Sequence, residues 1–404
     1  MPLKDQDRTD VSVLIFFFIP QTDRSGFPLH TRTILSCFFV RFNLFPYFCR
    51  KRENEHRMKY SIIVPVFNRP DEVDELLQSL TEQTLKDFEV IIVEDGSSKP
   101  CKDVCDRYVG RLDLHYFVKP NSGPGQSRNY GAERAQGEWL IVLDSDVVLP
   151  RTYIEEVERE MKRQPADAFG GPDRAHDSFT PTQKAISYSM TSFFTTGGIR
   201  GGKKKLDKFF PRSFNMGIRR DVYQQLGGFS KMRFGEDIDF SYRIVEAGYQ
   251  PRLFPEAWVW HKRRTDFRKF FRQVYNSGIA RINLEKRHPG TMKLVHLLPM
   301  VFTVGVILLV LISAFGRAMM HYDAGNWHTW YWVALLPWAP IVFYSLLIFI
   351  DSSIKNHSLV IGLKSVAAAF VQLMGYGFGF LESWWKRCVK GQDEFTAFEK
   401  NFYK

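Results

Sequence analysis

The first part of the hydrophobic pattern alternates short apolar runs with amphipathic segments. Ser61 to Val66 has the length and composition of a buried strand, and Pro70 is a suitable first residue for the helix that follows. The apolar residues of that helix recur at i, i+3, i+4 and i+7: Val73, Leu76, Leu77 and Leu80. A strand, a helix and a further strand are predicted next: Val90 to Val93, Gln126 to Ala135 and Trp139 to Leu143. This order predicts an open, doubly wound α/β sheet of the Rossmann-like type.

Beyond Leu294 the pattern changes to long uncharged runs. Each run is long enough to cross about 30 Å of hydrocarbon as a helix, and we predict spans at about 294–316 and 327–350. A third candidate, 359–384, contains Lys364, Gln372 and the glycine-rich stretch GYGFGF, and is either spanning or re-entrant. Buried helices of a soluble protein are the alternative interpretation of these runs.

Basic residues crowd the segment before the first run, where only Asp266 and Glu285 oppose them: Lys262, Arg263, Arg264, Arg268, Lys269, Arg272, Arg281, Lys286, Arg287 and Lys293. The positive-inside rule places such a segment in the cytoplasm, at membrane lipids. We therefore attribute the net charge of +11 to lipid headgroups and not to nucleic acid. Three crossings would place the basic tail at 386–404 outside the cytoplasm, against this rule. Two crossings and an interfacial helix would keep the tail in the cytoplasm.

The length of 404 residues allows one domain of about 200 to 250 residues and further segments. We divide the chain into an α/β domain at 58–290, a membrane region at 291–385 and the tail. In 1–57 the apolar runs are short or interrupted, so this segment is either an extension before a true start at Met58 or a membrane-associating leader. The five cysteines lack paired spacing and indicate reduced thiols.

Polar clusters follow the predicted strands, where open α/β sheets bind ligands. Asp144 and Asp146 come directly after the strand Trp139 to Leu143, and carboxylates in this position can share a Mg²⁺ or Mn²⁺ ion. Such an ion offsets the charge of a nucleoside diphosphate leaving group. His261, after an apolar aromatic stretch, is a candidate further metal ligand or diphosphate contact, or a structural histidine.

A second acidic cluster, FGEDIDF, precedes an amphipathic segment. Asp237 is our candidate general base, because a carboxylate near a sugar hydroxyl can take its proton as the new bond forms. Glu236 is assigned to orienting the acceptor. A plain acidic helix N-terminus is the alternative.

Two loops have the composition of nucleotide contacts. Asp95, in VEDGSS, is a candidate acceptor for a nucleobase N–H, or only a turn residue. In NSGPGQSRNYG, glycines precede a helix whose free N–H groups favour phosphate, and Arg128 lies one turn inside it. The stretch GGKKKLD, with lysines at 203–205, is interpreted either as a mobile loop near an anionic ligand or as a solvated run of charges.

Taken in order, SIIVPVFNRP, VIIVEDGSS, NSGPGQSRNYG, LIVLDSD and FGEDIDFSYRI resemble family 2 glycosyltransferases of the GT-A fold, over about residues 59–262. Bacterial members with hydrophobic C-terminal tails extend the resemblance. By this resemblance, the nucleotide end of the site is lined by Pro65, Asn68 and Arg69, and Asp95 reads the base. Asp144 would contact the donor, Asp146 would hold the cation, and Asp237 would act as the general base.

The resemblance implies an inverting transfer from a nucleotide-diphosphate sugar, expected to be a UDP-sugar, to a lipid-linked or membrane-proximal saccharide. We expect this sugar transfer to take place at the cytoplasmic side of a bacterial inner membrane, as a step of cell-surface polysaccharide synthesis. The Gln-x-x-Arg-Trp motif of processive members is missing after the Glu-Asp pair, which favours single additions. The alternatives are a polyprenyl-phosphate sugar synthase and a non-catalytic scaffold that binds sugar nucleotides.

Overall fold

The computed structural model describes residues 58–174, 179–196, 209–262 and 264–398, which belong to one structural unit. The expectations for 1–57 and for the lysines at 203–205 lie outside these residues.

The strands of the described residues form two sheets. They are β1 Tyr60–Val66, β2 Phe88–Asp95, β3 Asp113–Lys119, β4 Trp139–Leu143, β5 Val147–Val148, β6 Ala168–Gly170, β7 Asp173–Arg174, β8 Asn215–Arg219, β9 Pro251–Leu253 and β10 Val259–His261. The larger sheet has the order β3-β2-β1-β4-β8-β6-β9, and the smaller one β5-β10-β7. β1 to β4 are parallel, and β8 runs antiparallel to both β4 and β6. The predicted open α/β sheet is therefore confirmed, with a mixed half that the sequence did not reveal.

The helices complete the α/β domain and then continue into the apolar region. Those of the α/β domain are α1 Pro70–Thr81, α2 Lys102–Asp106, α3 Pro124–Ala132, α4 Tyr153–Arg163, α5 Pro181–Thr191, α6 Phe193–Thr196, α7 Arg220–Gln225, α8 Glu236–Glu246 and α9 Phe267–Arg287. Those that follow are α10 Leu298–Tyr322, α11 Trp327–Leu335, α12 Ala339–Asn356, α13 Leu359–Trp384 and α14 Glu394–Phe398.

The hydrophobic periodicity of α1 corresponds to one buried face. Val73, Leu76, Leu77 and Leu80 are all fully buried against the sheet, where they contribute to a core with the apolar side chains of β1, β2 and β4. Burying a side chain of this size contributes about 1.5–3 kcal/mol. β3 was not predicted from the sequence, because its apolar pattern is weak. This strand lies at the edge of the sheet, where most of its residues are only partly buried.

Among the described residues, three segments are long and apolar enough to cross a membrane: Leu298–Tyr322, Ala324–Asn356 and Leu359–Val389. The first begins later than predicted because Leu294–His296 forms a separate 3-10 turn. The second is divided at Leu336–Trp338, where a 3-10 turn containing Pro337 separates α11 from α12. Proline has no N–H to donate, which explains the interruption of the helix.

The third candidate, α13, is one continuous helix, and its glycines serve packing. A Cβ added at Gly379 would lie 2.0 Å from the carbonyl oxygen of Tyr275 in α9, and one at Gly278 of α9 would lie 2.1 Å from the carbonyl oxygen of Tyr376. The backbones of α9 and α13 thus approach more closely than side chains would permit. The stretch GYGFGF therefore joins the apolar region to the α/β domain.

Candidate active site

Three potential metal ligands meet at the carboxyl end of β4. Asp144 and Asp146 follow this strand, and His261 ends β10, which pairs with β5 just beyond Asp146. One ligand atom from each of the three residues lies within 4.8 Å of the other two. The sequence predicted Asp146 and His261 as metal ligands and Asp144 as a donor contact, and the fold brings all three together.

His261 is oriented by stacking. Its ring lies 5.0 Å from that of Phe214 at an interplanar angle of 24°, and its Nε2 lies 3.3 Å from Oδ1 of Asp146. The buried Nδ1 has no hydrogen-bond partner among the described residues. Two carboxylates and an imidazole whose ligand atoms lie this close together have the chemistry of a divalent-cation site, so the residues present fit the expected Mn²⁺ or Mg²⁺.

Asp146 is held as a carboxylate. Its side chain is buried, which alone would raise its pKa, but the hydrogen bond and charge of His261 and the charge of Arg69 outweigh burial and hold the pKa below the usual range. Arg69 forms an ion pair with Asp146, and Arg264 lies 3.9 Å away. Arg69, predicted at the nucleotide end, is therefore adjacent to the candidate metal centre.

Arg128 connects the two acidic clusters. Its guanidinium is buried over the ring of Phe229 and donates to Asp144 at 2.8 Å and to Glu236 at 3.1 Å. The sequence predicted a donor contact for this residue, because it lies near the glycine-rich start of α3. The contact of Arg128 with the donor stays a prediction. The sequence gave no indication that Arg128 would bridge Asp144 and Glu236.

The acidic pair begins α8, directly after Gly235 in a left-handed conformation with φ 84°. Nε of Arg212 donates to Asp237 at 2.7 Å. Burial by itself raises the pKa of Asp237, but the charge and hydrogen bond of Arg212 outweigh it and leave the pKa lowered. The pKa of Glu236 is raised, because burial and the charge of Asp237 exceed the opposing effect of Arg128. The two carboxylates therefore differ in their readiness to ionise.

Asp95 shapes a loop through internal bonds. Its carboxylate accepts hydrogen bonds from the backbone N–H groups of Ser122 at 2.9 Å and Gly123 at 2.8 Å, and pairs with Lys119. These bonds hold the glycine-rich loop in front of α3. The predicted contact of Asp95 with a nucleobase would therefore have to share a carboxylate that already has these partners.

Asn68 and Pro65 belong to the neighbouring loop and strand. Asn68 has a positive φ of 56°, and its side-chain oxygen accepts a hydrogen bond from the N–H of Lys99 at 2.9 Å, which ties the turn after β1 to the turn after β2. Pro65 pairs with Val93 inside the sheet. Their predicted roles at the nucleotide end stay predictions.

A large cleft of about 2620 Å³ contains much of this chemistry. Its walls include five of the predicted site residues: Arg69, Asp144, Glu236, Asp237 and His261. Arg212 also lines it, although the sequence around this residue, FPRSFN, gave no indication of a function. The cleft continues to apolar side chains of α10 and α12.

Comparison with known proteins shows a family resemblance in the α/β domain. Residues 61–227 match the model for glycosyl transferase family 2. This part of the chain is therefore similar to family 2 glycosyltransferases, and its mixed α/β sheet agrees with the GT-A fold that the resemblance implies.

Individual relatives are distant. An uncharacterized glycosyltransferase of Haemophilus influenzae is 30% identical over 198 residues, which is 46% of this chain and 62% of that protein. The pre-mycofactocin glycosyltransferase of Mycobacterium tuberculosis is 25% identical over 280 residues, which is 64% of this chain and 53% of that protein. The chain thus spans less than two thirds of the length of these curated relatives.

Solved structures resemble the chain over most of its length at low identity. A mannosyltransferase of Pyrobaculum calidifontis, solved in complex with GDP-Man and Mn²⁺, has 14% identity and a TM-score of 0.49. The match covers 85% of this chain and 93% of that one.

Proposed function

We propose that the protein transfers a sugar, with inversion, from a nucleotide-diphosphate sugar to a saccharide hydroxyl at the membrane surface. The observation that carries this proposal is the buried bridge from Asp144 through Arg128 to Glu236. This bridge fixes the candidate metal centre relative to the acidic pair of α8, and both line one cleft. A donor diphosphate and an acceptor hydroxyl therefore have adjacent places.

In the proposed reaction the acceptor oxygen attacks the anomeric carbon of the donor. A new carbon–oxygen bond forms, the bond from that carbon to the diphosphate oxygen breaks, and its electron pair leaves with the nucleoside diphosphate. Asp237 takes the hydroxyl proton, a role that suits a carboxylate kept ionised by Arg212. A divalent cation at Asp144, Asp146 and His261 would offset the negative charge of the leaving group.

The acceptor is proposed to be lipid-linked or membrane-proximal, because the cleft extends to the apolar helices. The catalytic domain is proposed to face the cytoplasm, because basic residues are frequent in α9, which precedes the first apolar helix. Asp237 also bears on the choice of acceptor. A saccharide hydroxyl needs a base, whereas a lipid phosphate oxygen does not, so the Arg212–Asp237 pair favours the saccharide.

The test uses the full chain in phosphatidylcholine nanodiscs. UDP-, GDP- and dTDP-sugars are supplied with Mn²⁺, Mg²⁺ or EDTA and with a membrane-lipid extract, and release of nucleoside diphosphate and the anomeric configuration of the product are measured. We expect one donor class to turn over, EDTA to stop the reaction and the configuration to invert. Retention of configuration would contradict the inverting mechanism. Donor binding without consumption under every condition would favour the scaffold alternative.

A further inference from the structure

A second cavity, of about 500 Å³, lies on the face of α9 that is turned away from the cleft. Ile282 and Lys286, one turn apart, line this cavity, whereas Arg281 and Leu284 line the cleft. At 3.6 residues per turn the two pairs lie on different sides of the helix. The helix α9 therefore separates the two spaces, and in the described part of the chain they share no lining residue.

The second cavity is a junction of three helices, and we call it the junction cavity. Its wall combines side chains of α9, of the segment that leads into α10, of the first turn of α10 and of the end of α13. The wall is mainly apolar: Ile282, Met292, Leu297, Met300, Phe380 and Leu381. A cavity of this size with mostly apolar walls and few polar groups is typical of a site for a small amphiphile.

The junction cavity lies where the chain enters the apolar region. On α10, Leu298 and Val301 are 58% and 57% exposed, so the apolar wall continues onto the surface of the first helix that can cross a bilayer. Trp384, which lines the cavity, is 46% exposed. Tryptophan is enriched where a membrane meets water, so this position suits the boundary between hydrocarbon and headgroups.

The polar side chains of the junction cavity leave one cation unopposed. Glu285 accepts hydrogen bonds from the backbone N–H groups of Gly290 at 2.8 Å and Met292 at 2.6 Å, and Arg281 lies 3.8 Å away, so its charge is already compensated. Lys286 is exposed and has no ion-pair or hydrogen-bond partner among the described residues. A lysine can lay its aliphatic stem along an apolar wall and present its ammonium to a phosphate at the membrane surface.

We propose that the junction cavity binds one anionic phospholipid of the surrounding bilayer. An acyl chain lies among the apolar side chains, and the phosphate is held by the ammonium of Lys286. Two observations specify this occupant: the apolar wall is continuous with the surface of α10, and the uncompensated charge is positive. Because α9 separates the cavity from the acidic pair, the bound lipid is not the sugar acceptor, and the inference does not depend on the proposed transfer reaction.

The experiment counts bound lipids by native mass spectrometry of the full chain in dodecyl maltoside. Phosphatidylglycerol, a diacylglycerol with the same acyl chains, and glycerol phosphate are titrated separately. Lys286→Gln removes the cation, and Arg268→Gln is its control on the same helix, because Arg268 is exposed but does not line the cavity. Leu381→Trp places a larger side chain in the cavity, and its control is Leu363→Trp, at a residue of α13 that is 67% exposed and away from the cavity.

We expect one equivalent of phosphatidylglycerol to bind about fivefold more tightly than diacylglycerol, which is the effect of one lysine near a phosphate. Lys286→Gln should abolish this preference, and Arg268→Gln should keep it. Leu381→Trp should weaken the binding of both lipids at least tenfold, whereas Leu363→Trp should change neither. Glycerol phosphate, which has no acyl chain, should not bind measurably.

Three results would overturn the inference. Unchanged lipid binding in Leu381→Trp, or equal weakening in Leu363→Trp, would show that lipids occupy only the general surface of the apolar helices. A preference for phosphatidylglycerol that persists in Lys286→Gln would remove the phosphate contact. Diacylglycerol bound as tightly as phosphatidylglycerol would make the occupant a neutral chain. Lys286→Gln alters only an exposed side chain, so the phosphate contact is tested even if Leu381→Trp fails to fold.

Discussion

Arg387, just after α13, donates a 2.8 Å hydrogen bond from Nε to the side-chain oxygen of Asn283 in α9. Nearby, Arg287 of α9 forms a 3.1 Å ion pair with Glu394 of α14. The segment that precedes the first apolar helix therefore contacts the segment that follows the last one. Charged groups of this kind avoid the hydrocarbon of a bilayer, so both segments belong to the same side.

We therefore predict an even number of crossings, with the C-terminus on the side of the catalytic domain. α10 contacts α13 near its start, where Thr303 and Pro299 meet Gly377 and where Phe302 lies 5.5 Å from Phe370. We therefore expect α10 and the segment formed by α11 and α12 to cross the membrane, and α13 to lie at the membrane interface without crossing it. A fluorescent-protein fusion after Lys404 should report the same compartment as the catalytic domain, and one inserted at Asp323 the opposite compartment. Opposite results at the C-terminus and the catalytic domain would establish three crossings.

Substitution of Asp237 by Asn should lower kcat by about 10²–10⁴, the usual contribution of a positioned base. Asparagine keeps the shape of the side chain, so the fold and the binding of donor should persist. Initial rates with a competent donor and acceptor provide the measurement. Asp103→Asn, which alters an exposed carboxylate of α2, is the control. If Asp237→Asn retains most of the activity of the unsubstituted protein, Asp237 is not the base.

The pH dependence should report the Arg212–Asp237 pair. A base with a lowered pKa is ionised at neutral pH, and activity is lost only as the pH falls through that lowered value. Arg212→Gln removes the charge that lowers the pKa, so the acidic limb of the kcat/KM profile should move to higher pH. Activity at alkaline pH should recover towards that of the unsubstituted protein. An acidic limb that keeps its position would show that Arg212 does not set the ionisation of the base.

Much of the fold could be predicted because it depends on neighbours in sequence. The spacing of apolar residues in α1 and the run Trp139 to Leu143 are local patterns, and the sheet places them as expected. Asp144 and Asp146 could be found for the same reason, since they directly follow a recognisable strand. His261 was also recognisable, by its position after an apolar aromatic stretch.

The links between these parts were not predictable, since they join distant segments. Arg128 and Glu236 are 108 positions apart, and Arg212 and Asp237 are 25 positions apart, with a strand and a helix between them. Nothing in the sequence around either arginine specifies its partner. The glycines of α13 were ambiguous for the same reason, because the helix they pack against lies about a hundred residues earlier.

Substitution of Gly379 by Ala should destabilise the junction of α9 and α13. The added Cβ would lie 2.0 Å from the backbone oxygen of Tyr275, so the helices must separate, at a cost of about 1–3 kcal/mol. Gly305→Ala in α10 is the matched control, because no atom lies within 4 Å of its added Cβ. Thermal unfolding in nanodiscs, followed by tryptophan fluorescence, should show a lower midpoint for Gly379→Ala alone. Equal midpoints would mean that the close approach of the two helices is not required.

The candidate metal centre should bind Mn²⁺ in the presence of a nucleoside diphosphate, and this binding can be followed by electron paramagnetic resonance without any turnover. Asp146→Asn removes an anionic ligand while it keeps a hydrogen-bonding side chain beside Arg69, so we expect Mn²⁺ affinity to fall by more than the roughly 10–100-fold typical of an outer-shell change. His261→Ala should weaken binding as well, because it removes the third candidate ligand. His321→Ala, at the exposed end of α10, should leave affinity unchanged. Undiminished Mn²⁺ binding in Asp146→Asn would show that the three residues do not form the metal centre.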